Sequence, residues 1–404
     1  MQPPKGTRDL LPSDMRKLGY VISVVESVFK RYGYEPIDTP AFEDWSVLSA
    51  KNSGGEELKK ETYYFKDKSD RELGLRYDLT VPSARIVASN PSIAKPFKRY
   101  SIGKVWRYDQ PQAGRYREFW QADVDCYGSE LARTDAEVIA VAVDCLRELG
   151  FKDFKVRLND RRVIEKKVSA LGITNPLDVF RCLDKLEKLG EDFVVKELKE
   201  KGIEAGKIEK LMKLVKEKPE EIDELEGLVK ELKNFGIDKE IAIDFGMVRG
   251  FDYYTGPIFE LTAGGLAIGG GGRYDQLIES YGGKPTPAVG ISLGLSRIVD
   301  EMEKKKLFDI EDYPAKVFVC SVNVDMVKEA IKIVQQLRKN NVSADFDLMG
   351  RNLSKQFDYI NAKKIPFAIV VGPEEIKNKK FVLRDMNTGK EKKLVLEEII
   401  KELQ

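Results

Sequence analysis

The sequence predicts an α+β protein in three parts, and three features carry that prediction. Short strand-like runs fill much of the first 158 residues and resume after 241, with helices between them, as in a mainly antiparallel sheet. From about Asn159 to Glu240 the chain is rich in Lys, Glu and Leu, poor in aromatics and helical throughout, so it interrupts that sheet as an insertion. From Ala315 onward strands alternate with helices, the pattern of a small βαβ-type domain with a largely parallel sheet. The expected division is 1–158 and 241–314 for two halves of a main domain, 159–240 for the insertion, and 315–404 for a C-terminal α/β domain.

In chain order, Met15 to Tyr32 repeats apolar residues at helical spacing, and Gly33 is its stop signal. YEPIDTP, ETYYFKD and ELGLRYDLT follow as short strands, then VPSARIVASN as a helix. KRYSIGKVWR and FWQADVDCY alternate like two strands of an antiparallel hairpin joined by QPQAGRYR. Thr134 to Leu149 predicts a helix capped by Thr134 or Asp135. Beyond the insertion, RGFDYYTGPIFE (Arg249 to Glu260) reads as a strand that carries a cation and two adjacent phenols. Near the C-terminus, FVLRDMNTGKEKKLVL reads as a hairpin turning at Asn387–Gly389, closed by a last helix.

Composition bounds the chemistry. The chain has 404 residues, 42% of them hydrophobic, and a formal net charge of +1, so overall charge favours neither nucleic acid nor membrane as partner. Cys126, Cys145, Cys182 and Cys320 lie far apart without zinc-type spacing, which suits a reducing compartment. The polar N-terminus is no signal peptide, and no apolar run nears the ~20 residues of a membrane span, so a cytoplasmic protein is expected. There is no histidine. The usual general base and commonest metal ligand are absent, leaving carboxylates, Arg, Lys, Tyr and groups of the substrate.

Several stretches combine residue types suited to a site, each with a plainer reading beside it. Gln121, Asp123 and Asp125 recur with period two and share one strand face; Arg107, Arg115 and Arg117 flank them, and Phe119 offers a flat face. The set suits a phosphate and a stacked base, but a salt-bridged surface hairpin looks the same. Asp78 and Thr80, two apart on a presumed strand, suit an ammonium group; a turn with an adjacent cap is the plainer alternative. Four glycines in AIGGGGRYDQLI suggest close approach by a ligand or another chain, or else an ordinary turn. Arg297 follows Gly290 and Gly294 on an apolar helix, where it either snorkels or meets a buried anion.

Taken in order, GTRDLLP, RYGYEPIDTPAFED, LRYDLTVPSARIVA, KVWRYDQPQAGRYREFWQADVD, RGFDYYTGPIFE, GGGGRYDQLI and AVGISLGLSRIV resemble the histidyl-tRNA synthetases over essentially the whole chain. Three of these stretches match motifs general to class II synthetases, whereas RGFDYYTG and GGGGRYDQL are specific to the histidine enzymes and their paralogues. The resemblance implies a class II antiparallel sheet of six or seven strands flanked by helices, with a helical insertion and an anticodon-binding C-terminal domain. It also implies a homodimer acting on L-histidine, ATP with Mg2+, and tRNA(His).

Residue by residue, the resemblance implies that Arg249 and Arg107 meet the α-phosphate, Asp109 the adenine amino group, Phe119 the adenine face, and Arg297 the far phosphates. Asp78, Thr80 and Gln121 are implied for the substrate ammonium, and Asp125 with Tyr254, beside Tyr253, for its imidazole. Gln110, Gln112, Arg115 and Arg117 belong to the loop expected to meet the tRNA acceptor end. Family members often carry Glu where this chain has Asp109 and Asp125. The resemblance extends to non-catalytic paralogues that bind histidine and regulate its biosynthesis. Those lack the anticodon domain and the catalytic arginines, all of which this sequence has.

Overall fold

The computed structural model describes residues 1–50, 55–108, 116–219, 221–248, 253–311 and 313–404. The chain forms two compact units, Met1–Phe308 and Asp309–Gln404.

In the first unit the strands are β1 (Glu35–Pro36), β2 (Phe42–Asp44), β3 (Tyr64–Lys66), β4 (Glu72–Leu75), β5 (Phe97–Trp106), β6 (Glu118–Tyr127), β7 (Lys155–Asp160), β8 (Ile241–Ile243), β9 (Pro257–Ala263), β10 (Leu266–Arg273) and β11 (Ala288–Gly294). Eight of them make one sheet in the order β1-β5-β6-β11-β10-β9-β7-β8. The inner pairs are antiparallel, while β1 on β5 and β8 on β7 are parallel. The sheet is thus antiparallel with a short parallel strand at each edge. Strands β2, β4 and β3 form a small separate sheet.

Alternation divides the faces of the large sheet. On β6, Ala122, Val124 and Cys126 point to one side, and on β11 Val289, Ile291 and Leu293 do the same. That side is covered by the helices Pro12–Arg31 and Ala132–Glu148, whose apolar positions (Val21, Val25, Val28; Val138, Ala142, Leu146) recur every three or four residues. Each fully buried Val or Leu contributes roughly 1.5–3 kcal/mol. The other side carries Gln121, Asp123 and Asp125. That side is buried as well, beside a second cluster that includes Val87, Tyr127, Tyr253, Tyr254, Tyr274 and Leu277.

Local differences from the sequence reading have identifiable causes. The helix expected from Thr134 begins at Ala132, and neither Thr134 nor Asp135 caps it. Asp135 is instead buried and accepts from Arg273 Nε and Nη2 at 2.9 and 2.7 Å. Asp78 and Thr80 are not on a strand: β4 ends at Leu75, Thr80 opens the helix Thr80–Ser89, and Asp78 accepts from Val81 N at 3.0 Å. A side chain that satisfies a first-turn N–H favours the helix start over continued extension. The strand expected from Arg249 begins only at Pro257. Thr255 N donates to Arg273 O at 2.8 Å and turns the chain, so Tyr253 and Tyr254 lie over the sheet rather than within it. Arg249 itself lies outside the described residues.

The insertion helices between Arg161 and Leu214 close round their own core of Ile164, Val168, Val179, Val194, Leu198 and Leu211. The last helix of that stretch, Glu226–Asn234, differs: its Leu228 and Leu232 join the main core.

The second unit holds β12 (Val317–Ser321), β13 (Ala344–Phe346), β14 (Phe367–Val371), β15 (Phe381–Asp385) and β16 (Glu391–Leu394), in the order β13-β12-β14-β15-β16. The first three are mutually parallel, and β15 and β16 add the expected hairpin. Asn387 N and Thr388 N donate to Asp385 Oδ1 at 2.8 and 3.0 Å in its turn.

Candidate active site

The polar face of the large sheet is a floor with glycines at its centre. Across β5, β6 and β11 the register aligns Arg99, Asp125 and Gly290; then Ser101, Asp123 and Ser292; then Gly103, Gln121 and Gly294. Glycine leaves space above the floor and lets neighbours come close. A Cβ on Gly290 would stand 2.0 Å from Asp125 Oδ1, and one on Gly272 would stand 2.8 Å from the Tyr254 ring. The run in β10 is therefore not a turn. Gly271 abuts β11, where a Cβ would lie 1.9 Å from Gly290 O, and Gly272 underlies Tyr254.

Four charged side chains are sunk into this floor: Asp78, Asp123, Asp125 and Arg99, none more than 5% exposed. Arg99 forms an ion pair with Asp125 and donates to Leu79 O at 3.1 Å. Tyr274 donates its hydroxyl to Asp125 as well. Asp125 is thus gripped from two sides. Among the described residues, Asp78 Oδ2, Gln121 Oε1 and both Asp123 oxygens have no hydrogen-bond partner, and the unpaired donors on the same strands include Arg99 Nε and Nη1 and the Tyr127 and Ser292 hydroxyls. Three buried carboxyls stand against the one buried guanidinium of Arg99, so negative charge is in excess.

The titration behaviour follows. Burial pushes Asp78 up to about 6, despite the Val81 amide and the Arg107 charge working the other way. Burial pushes Asp123 up to about 7, with Arg99 opposing and Asp125 and Asp78 adding to the rise. Burial also raises Asp125, although Arg99 and Tyr274 pull it down. For Arg99 burial disfavours the charge, but Asp125 and its neighbours hold the pKa above the ordinary arginine value. A cation with several N–H donors, brought by a ligand, would relieve that imbalance.

Aromatic rings wall one side. Tyr253 stands 4.9 Å from Tyr254 and 5.7 Å from Tyr274, centroid to centroid, all three buried. Burial, then the charges of neighbours including Asp78, keeps Tyr253 well above the usual phenol value, so it stays protonated. At the other end, Arg107 donates Nε to Tyr77 O at 2.9 Å and lies 5.3 Å from the Phe119 centroid. Arg297 donates to Ala267 O at 2.8 Å and would touch a Cβ on Gly294 at 3.9 Å, next to Gln121 in register. Ser296 accepts from Trp120 N at 3.2 Å, which ties that helix to β6.

The fold therefore brings together Asp78, Thr80, Arg107, Phe119, Gln121, Asp125, Tyr253, Tyr254 and Arg297. Arg117 lies at the foot of the hairpin with its guanidinium 3.9 Å from the Tyr108 centroid. Asp109, Gln110, Gln112 and Arg115 lie outside the described residues, as does Arg249. Sequence reasoning assigned no role to Arg99 or Tyr274. Arg99 was reachable in principle: once KRYSIGKVWR and FWQADVDCY pair as a hairpin, the register sets it opposite Asp125. Tyr274 stands in the glycine-run signature, but its partner is distant in sequence.

Comparison with known proteins agrees with this architecture. The family model for histidyl-tRNA synthetase matches residues 6–298, and that for an anticodon binding domain matches residues 316–404. The chain is 39% identical to the histidine–tRNA ligase of Pyrococcus horikoshii, covering 98% of this chain and 97% of the relative. It is 35% identical to that of Clostridium tetani, covering 98% and 96%. The crystal structure of histidyl-tRNA synthetase from Nostoc superposes with a TM-score of 0.82 at 28% identity, covering 100% of this chain and 98% of that one. With both modules matched and its relatives spanned almost end to end, the chain belongs to the histidyl-tRNA synthetase family.

Proposed function

We propose that the chain activates L-histidine with ATP to histidyl-adenylate and pyrophosphate, then transfers histidine to the 3′ end of tRNA(His). The observation that carries the site assignment is the cluster of buried carboxyl and amide oxygens without partners at Asp78, Gln121 and Asp123, which suits the charge and N–H donors of an α-ammonium. Asp78, Thr80 and Gln121 take that ammonium, with Asp123 beneath. Asp125, fixed by Arg99 and Tyr274, presents its carboxylate toward the imidazole, with Tyr254 and Tyr253 beside it. A competitor lacking ring nitrogens would leave such groups buried and unpaired, which is a strong basis for rejection.

In the first step a carboxylate oxygen of histidine attacks the α-phosphorus, and the bond to the bridging oxygen breaks to release pyrophosphate. Arg107 and Arg249 stabilise charge growing on the α-phosphate oxygens; Arg297 holds the far phosphates and Phe119 stacks on adenine. Asp109 accepts from the adenine amino group. In the second step the ribose hydroxyl of tRNA attacks the carbonyl, its proton passes to the adenylate's phosphate oxygen, and AMP departs. Neither step needs a protein imidazole, which accords with a chain that has none. Among the described residues no group of three Asp, Glu, Cys or His side chains is placed to hold a metal ion, and Mg2+ is expected to come with ATP.

Gln110, Gln112, Arg115 and Arg117 meet the acceptor end of tRNA(His), and residues 315–404 bind its anticodon. The chain acts as a homodimer in the cytoplasm; no helix among the described residues is long and apolar enough to cross a membrane. The catalytic reading is favoured over a histidine-binding regulator by the presence of Arg107, Arg297 and the anticodon module together. Charging of a tRNA(His) transcript with labelled histidine tests it. Acylation by histidine alone is expected; histidine binding without acylation would leave the regulator.

A further inference from the structure

The N-terminal GTRDLLP stretch has no role in the scheme above, yet it is built into the foot of the β5–β6 hairpin. Gly6, at φ +86°, turns the chain after Pro4, and Thr7 N and Oγ1 donate to Pro4 O at 3.0 and 2.7 Å. So turned, Gly6 O accepts from Arg117 N at 2.7 Å, while Arg117 O accepts from Arg107 N at 3.0 Å. The hairpin ladder thus runs on to residue 6. Arg8 completes the contact. Its guanidinium lies 4.1 Å from the Tyr116 ring centroid, Nη1 donates to the Tyr116 hydroxyl at 2.8 Å, and Nη2 reaches Asp300 Oδ1 at 3.5 Å. Asp300 stands three residues after Arg297 on the helix Leu295–Lys304, one turn along the same side.

We propose that Arg8 is a positioning residue for ATP. It ties the hairpin bearing Arg107, Arg117 and Phe119 to the helix bearing Arg297, so that the two phosphate-gripping arginines keep their spacing. The proposal rests on the reading of those residues as nucleotide-facing. Arginine suits the task because its planar fork can cover a ring and bond two acceptors at once, whereas a lysine ammonium is a point charge. The contact is too exposed to matter much for folding: the Arg8 and Asp300 side chains are 37% and 22% accessible. A displacement of about 1 Å at a reacting group can nevertheless cost on the order of a hundredfold in rate. Arg8 therefore acts on function without acting on stability.

The test uses the full chain, with ATP and histidine parameters from pyrophosphate exchange, histidine Kd from calorimetry, and melting temperature. Arg8→Ala is expected to lower kcat/KM for ATP by about ten- to a hundredfold, with histidine Kd and melting temperature unchanged; Arg8→Lys recovers little. Tyr116→Leu should match it, and the double variant should be no worse than the poorer single one, because both remove one contact. Unchanged ATP parameters, an equal loss of histidine affinity, or losses that add independently in the double variant would each overturn the role. A wild type without exchange would overturn the underlying reading and the Arg8 role with it. An active wild type with an unaffected Arg8→Ala overturns the Arg8 role alone.

Discussion

Asp123 is the residue whose surroundings say most about the site. Burial pushes its carboxyl up from the ordinary 3.8 to about 7, with Arg99 and Ser292 opposing and the charges of Asp125 and Asp78 adding to the rise. Between about pH 4 and 7 the folded protein therefore retains a proton that the unfolded chain has released, and stability falls as pH rises through that window. Asp123→Asn carries no such charge. Without ligand it should melt with the wild type near pH 4, gain on it up to about pH 7, and hold a constant advantage above. Melting curves from pH 4 to 8 check the sign; an advantage that shrinks with pH contradicts it. The same variant should bind histidine more weakly at pH 8 than the wild type, yet bind the des-amino analogue imidazole-propionate equally, since only the ammonium is affected. Equal losses for both ligands would mean that Asp123 merely holds the floor together. This face was legible in the sequence as Gln121, Asp123 and Asp125 at period two. Arg99 escaped because one arginine among many announces no partner until strands are paired.

At the scale of elements, the glycine run of β10 makes two different demands. Gly271 faces backbone: its Cβ would meet Gly290 O and Ile291 Cα, neither of which can move without parting β10 from β11. Gly271→Ala should cost about 1–3 kcal/mol, seen as a lower midpoint in denaturant. Gly272 faces both the Tyr254 ring and Pro257 O of β9, which a Cβ would meet at 2.8 and 2.9 Å. Gly272→Ala should therefore lose histidine affinity as well as some stability. If calorimetry finds the affinity intact in a folded Gly272→Ala protein, Tyr254 does not line the pocket. Helices and strands of the C-terminal unit were legible because each amphipathic segment packs on its neighbours in sequence. The segment at 253–256 was not. Its alternation suggests a strand, but the hydrogen bond from Thr255 N to Arg273 O and the packing of Tyr253 on Tyr274 come from elsewhere in the chain. Asp78 misled in the same way, since a helix start and a strand end share Asp, Thr and Pro. The glycine run suggested approach by a ligand or another chain, whereas the close neighbours the structure shows are this chain's own β11 backbone, Pro257 O and Tyr254.

For the whole molecule, the proposed scheme places both chemical steps in the first compact unit and anticodon binding in the second. A fragment ending at Phe308 retains the large sheet, its core and every residue assigned to histidine and ATP. It should keep histidine-dependent pyrophosphate exchange while its kcat/KM for tRNA(His) collapses, as filter assays of charging would register. Parallel loss of exchange would mean that the C-terminal unit is needed for activation itself. The boundary of the C-terminal unit was legible from periodicity, because alternating strands and helices alter residue usage over tens of residues. A single buried ion pair leaves no such trace.

The most direct test of the central claim is pyrophosphate exchange with ATP and Mg2+, run with histidine and with each other amino acid, for the wild type and Arg249→Ala. Exchange with histidine alone, largely lost in the variant while histidine still binds, is the expected result. Histidine binding with no exchange in either protein would contradict the catalytic account and withdraw the roles given to Arg107, Arg249 and Arg297.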